Sequence, residues 1–135
     1  MTRLFSRIML GLSGLIGGYI GISILFDTQK FFAHNGVEIT GDPGLMSELK
    51  APAIVLLAAA LVLLVGSVKS RFTDMALMIG AIVYGSYGMG RVVSILVDGL
   101  PPQPLIAAAV VELGIASILL FLAMHSNTAQ YGDAK

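Results

Sequence analysis

The chain has 135 residues, 56% of them apolar and 12% charged, with a formal net charge of zero and no cysteine. A soluble domain carries charge on about a quarter of its residues, and one of this length could not hide so much apolar surface, so the composition points to a bilayer. Neutrality removes the basic field that nucleic acid needs, and the missing cysteines exclude disulfides, thiolate metal sites and a cysteine nucleophile.

Residues 1–135 read as one all-α domain, a polytopic membrane protein folded as an antiparallel four-helix transmembrane bundle. From Ile8 to Phe26 there are 19 residues without a charge, close to the roughly 20 that cross about 30 Å of hydrocarbon. This predicts a first helix over 8–26. The basic stretch with Arg3 and Arg7 before it resembles the start of a signal peptide, but no small-residue cleavage site follows before Asp27, which makes it a retained span. Its glycines form two overlapping small-xxx-small patterns, Gly14 with Gly18 and Gly17 with Gly21, which let a second backbone approach closely. That backbone belongs either to another helix of the same chain or to a second protomer.

A polar outer loop is expected over 27–42, ending in Asp42-Pro43-Gly44, where Asp42 caps a second helix that accepts proline in its first turn. The second helix is expected over 43–68, with Pro52 kinking it or marking its point of entry into the membrane. Lys69 to Arg71 form a turn, Thr73 serves as the N-cap, and a third helix is expected over 74–98, whose apolar span from Met75 to Val97 is interrupted only by Arg91 before Gly99, Pro101 and Pro102 stop it. The fourth helix is expected over 104–125, apolar apart from Glu112, with a polar tail from His125 to Lys135 that frays. Short connections make the last three helices antiparallel neighbours.

Cationic residues orient the bundle. With the N-terminus inside, Arg3, Arg7, Lys69, Arg71 and Lys135 lie on the cytoplasmic side against Lys30 and Lys50 outside. The positive-inside rule then places both termini in the cytoplasm, for a protein of the inner membrane.

Arg91 and Glu112 lie at the same expected depth on adjacent antiparallel helices, roughly 10 to 12 Å below the outer surface. An unpaired charge there costs at least about 2.5 to 3.5 kcal/mol on insertion scales, so the two are expected to pair. Tyr84, Tyr87, Arg91, Ser94 and Asp98 recur at spacings of three and four and share one helical face. Glu48 and Lys50 sit near the level of Asp98 and are placed to cap the same polar cavity. Each feature also has a plain structural reading: an ion pair fixes helix register, and tyrosine hydroxyls find neighbouring carbonyls. With only His34 and His125 in the chain, and no cysteine, no metal site is expected.

The segments Ser47 to Ala51 (Ser-Glu-Leu-Lys-Ala) and Gly90 to Pro101 (Gly-Arg-Val-Val-Ser-Ile-Leu-Val-Asp-Gly-Leu-Pro), followed by a glutamate in the fourth helix, resemble the bacterial family catalogued as domain of unknown function 4345. The likeness runs from about Leu10 to Leu122. It singles out Glu48, Lys50, Arg91, Asp98 and Glu112, with Lys50 where the family carries arginine, an exchange that keeps the charge and loses the bidentate fork. The family is distantly similar to four-helix DoxX-like proteins, some of them subunits of quinone-linked oxidoreductases.

Together these features give a non-enzymatic membrane protein whose outer-half cavity binds a lipid- or quinone-like molecule, with Arg91, Glu112, Asp98, Glu48, Lys50, Tyr84 and Tyr87 as ligand-binding residues, or docks a membrane complex. No catalytic residue or obligatory cofactor is assigned. The expected partners are membrane lipid and either a second copy or a larger assembly. A small transporter or proton-conducting module is the first alternative, and an isomerase-like enzyme acting on lipid through its carboxylates is the second.

Overall fold

A computed structural model describes the backbone of residues 2–132 and side chains from 3 to 125. It contains α1 (Thr2–His34), α2 (Pro43–Val68), a single 3₁₀ turn at Ser70–Phe72, α3 (Thr73–Asp98) and α4 (Gln103–Gly132). All four α-helices are long and apolar enough to cross a membrane. The protein is an all-α helical bundle and a multi-pass membrane protein.

The outside of the bundle is apolar as well as its interior, unlike that of a soluble bundle. Large apolar side chains such as Leu15, Phe26, Leu61, Leu96 and Phe121 are exposed on the outside of the helices. The interior holds many small residues, among them Ala53, Ala60, Ala76, Ala109, Ala116 and Ala123, around a few fully buried leucines: Leu10, Leu63, Leu77 and Leu119. Lipid tails are as apolar as leucine, so helices in a membrane gain by approaching closely over small residues. The most extensive packing joins α1 to α2 and α3 to α4, and α2 against α3 closes the bundle.

The first helix differs from its expected bounds at both ends. It begins at Thr2 and continues to His34, past a break at Asp27, where φ is −129° and ψ is 43°. Asp27 therefore does not end the helix, and the long loop is 35–42 rather than 27–42. The reason is local: the Thr28 hydroxyl donates to the Ile24 carbonyl at 2.5 Å, occupying an acceptor that the break would release, and a helical turn resumes beyond it. Asn35 then caps the helix end on the Phe31 carbonyl, and Gly36 turns the chain with a φ of +79°.

The start of α2 is built as its residues predict, with Asp42 accepting from the Leu45 amide at 2.9 Å and Pro43 at the first position. Pro52 lies inside a helix that runs through it. Thr73 is not the N-cap of α3. That position falls to Phe72, while the Thr73 hydroxyl, buried, donates to the Gly66 carbonyl in the last turn of α2 at 2.9 Å. The 3₁₀ turn moves the helix start back by one residue and frees the threonine to satisfy an orphan carbonyl across the turn. The backbone of α4 continues beyond 125 to Gly132, where a frayed tail is expected from the sequence; Lys135 lies outside the described residues.

Candidate functional site

The polar residues of α3 do not all face one cavity; they reach three different helices in succession. Tyr84, buried, donates from its hydroxyl to the Ser13 carbonyl of α1. Gly17 makes room for it, since a Cβ there would stand 3.0 Å from the tyrosine oxygen. One turn on, the Tyr87 hydroxyl donates to the Pro52 carbonyl of α2 at 3.1 Å. One turn further, Arg91 Nε donates to Glu112 Oε2 of α4 at 2.9 Å. The stripe ends at Ser94, whose hydroxyl donates to Asp98 Oδ2 at 2.9 Å within the same helix, and both are exposed.

The expected ion pair is thus formed, and its geometry is one-sided. Among the described residues, the Nε–H is the only donor of the Arg91 guanidinium with a protein acceptor, and its side chain is 32% exposed against 13% for Glu112. A guanidinium has five N–H donors, so four point at whatever lies beside the helix. The pairing engages one oxygen of the mostly buried carboxylate and leaves the arginine's terminal nitrogens without an acceptor among the described residues.

The remaining sequence candidates separate from this pair. Glu48 is exposed and Lys50 half-buried at the start of α2. Lys50 lines a hollow of about 210 Å³ with Phe26, Asp27, Thr28, Gln29, Lys30 and Met46. A second hollow of about 490 Å³ is lined by Tyr19, Ser23, Asp27, Lys30, Phe31, His34 and Asn35. Arg91, Glu112, Asp98, Tyr84 and Tyr87 line neither. Of the seven residues expected to share one outward cavity, only Lys50 lines either of these two hollows. The break at Asp27, which periodicity does not reveal, turns the end of α1 where both hollows lie.

The glycines of α1 face α2. A Cβ on Gly14 would stand 2.9 Å from Leu64 Cγ and 3.1 Å from the Ala60 carbonyl, and one on Gly21 would stand 2.7 Å from Leu57 Cγ and 3.2 Å from the Ala53 carbonyl. Gly18, by contrast, leaves 3.9 Å to the Ala60 Cβ. The face in close contact is thus Gly14, Gly17 and Gly21, and its partner lies in the same chain.

Arg7 is a structural residue that composition counted only as a surface charge. Its Nε donates to the Ser67 carbonyl at 2.6 Å and its Nη2 to the Val68 carbonyl at 2.9 Å. The guanidinium therefore closes the C-terminal end of α2, where carbonyls lack helical partners and cations are favoured. No local pattern announces it, because the two partners are 60 and 61 residues apart. No group of three or more histidine, aspartate or glutamate side chains able to hold a metal occurs among the described residues.

With this geometry in place, comparison with known families is decisive on one point. A family model described as domain of unknown function (DUF4345) matches residues 5–123. The chain belongs to the DUF4345 family. The match takes in all of α2 and α3, and so carries the Arg91–Glu112 pair, the Tyr87 to Pro52 bond and the hollow below Lys50. No curated protein and no solved structure matches this DUF4345 chain.

Proposed function

We propose that this protein binds the polar head of a lipid- or quinone-like amphiphile at the α3–α4 pair, reached from the outer leaflet of the inner membrane, and that it does so without catalysing a reaction. The observation that supports this reading is the half-used arginine: Arg91 is held by Glu112 through Nε and is one-third exposed, and its terminal nitrogens have no acceptor among the described residues. Unpaired donors at that depth are unfavourable unless a phosphate, carboxylate or carbonyl oxygen meets them, and a guanidinium matches two such oxygens at once. Apolar side chains exposed nearby on α3 and α4, Val93, Val110 and Val111, would lie along the tail.

The alternatives draw less support. A conducting path needs ionisable groups through the other half of the bundle, where residues 75–83 of α3 and 113–124 of α4 are apolar or small and ionisable groups occur only beyond them, at Asp74 and His125. An acid–base enzyme needs a second carboxylate beside Glu112, and Asp98 is held instead by Ser94 on the exposed end of α3.

The test is Arg91→Lys, which keeps the charge and loses the fork. Co-purified amphiphile, identified and quantified by mass spectrometry of the detergent-solubilised protein, should fall roughly tenfold in occupancy at limiting ligand, as expected for one lost charge-assisted hydrogen bond. Unchanged retention in a variant that melts like the parent would reject the site.

A further inference from the structure

Residues that the α3–α4 pair does not use gather at the break in α1. Beyond Asp27 the helix changes direction, and the 210 Å³ hollow lies between this turned segment and the first turns of α2. Lys30 enters from α1 and Lys50 from α2, two lysines against the single carboxylate of Asp27, which lies 3.2 Å from the Lys30 ammonium. Lys50 has no acceptor among the described residues, so the hollow carries an excess positive charge. Gln29 adds an amide, and the chain passes close over it at Gly41, where a Cβ would stand 3.2 Å from Gln29 Nε2. Phe26 and Met46 add apolar surface to the lining, and Phe26 is 79% exposed on the outside of the bundle.

Size and polarity select the occupant. The hollow, about 210 Å³ and open to the outside, has room for a small anionic head whose remainder lies outside it. Apolar lining that continues onto an exposed phenylalanine fits a molecule whose charged head joins a chain lying outside the bundle. We propose that this hollow is a second binding site, specific for a phosphate monoanion presented as the phosphodiester of an anionic phospholipid, with Lys30 and Lys50 as its two cationic contacts. Lysine suits this role as a compact charge with three donors on a flexible stem. The site stands apart from the α3–α4 pair, since Arg91 and Glu112 line no part of it.

The experiment uses the full chain, delipidated in maltoside micelles and titrated separately with short-chain phosphatidylglycerol, short-chain phosphatidylcholine and inorganic phosphate, with bound adducts counted by native mass spectrometry. Phosphatidylglycerol should bind in preference to phosphatidylcholine, and Lys30→Gln and Lys50→Gln should each weaken it about fivefold, as for one lysine near an anionic surface. The double variant Lys30→Arg with Lys50→Arg should retain binding, which separates loss of charge from loss of fold. The loss on removing either lysine should persist in an Arg91→Lys background, where the α3–α4 site is already weakened, so failure here is distinct from failure of that site. Three results would overturn the proposal: equal binding of phosphatidylcholine, binding insensitive to both lysines, or inorganic phosphate occupying the site as well as the lipid does.

Discussion

A charge inside a membrane helix is informative in proportion to how it is satisfied, and Arg91 and Glu112 differ in that respect. Glu112 is nearly enclosed and accepts from Arg91; Arg91 spends one donor on that bond and keeps four more. Removing either leaves the other unpaired at depth, so Arg91→Ala and Glu112→Ala should each destabilise the purified protein by about 2–3 kcal/mol. Once one is gone the other has no pairing left to lose, and the double variant should lose less than the sum of the two. Denaturant titration in mixed micelles reads all three, and strictly additive losses would show that the pair contributes no coupling. The pair was legible from sequence because burial cost and helical depth constrain it on both sides. The routing of Tyr84 to Ser13 and Tyr87 to Pro52 was legible only as a shared face, since spacing fixes the direction of a side chain and not the carbonyl that meets it.

At the scale of helices, the bounds of α2 and α3 were readable to within a residue because each has chemical punctuation: Asp42 and Pro43 at one start, and Gly99 with two prolines at one end. The first helix lacked such signals. A polar segment after Asp27 looks like a loop by hydropathy, yet Thr28 supplies the hydroxyl that carries a helix across a break. The glycine pattern was readable as a close-approach face but not as a graded one. Gly21 lies against a backbone carbonyl and a leucine, and Gly18 has ordinary van der Waals room. Gly21→Ala should therefore cost about 1–3 kcal/mol through overpacking. Gly18→Ala should be neutral or gain up to about 1 kcal/mol from helix propensity. Thermal unfolding of the two variants side by side distinguishes this asymmetric α1–α2 contact from a uniform glycine seam, for which both would lose stability alike.

The whole molecule has two chemically distinct ends, and the cations they carry are the basis on which we propose its orientation. Arg7 bonds to the carbonyls of Ser67 and Val68, so the N-terminal turn of α1 meets the end of α2, and Arg3, Lys69 and Arg71 lie in that neighbourhood and are exposed. Lys30 and Lys50 share the opposite end around the α1 break. Counted on described residues the bias is four against two, without Lys135, and on the positive-inside rule we propose that the Arg7 end faces the cytoplasm. Arg7 remains a weaker vote than its neighbours, because its charge is already engaged by the α2 carbonyls, but Arg3, Lys69 and Arg71 still outnumber the opposite pair. The native chain contains no cysteine, so single cysteines report without background. Gln103, at the start of α4, and Ser70, in the 3₁₀ turn between α2 and α3, are both exposed and lie at opposite ends. In intact spheroplasts Gln103→Cys should react with a membrane-impermeant maleimide and Ser70→Cys should react only after the membrane is opened. The reverse pattern would invert the bundle and move both proposed binding sites to the cytoplasmic leaflet, where anionic lipid is met from the other side.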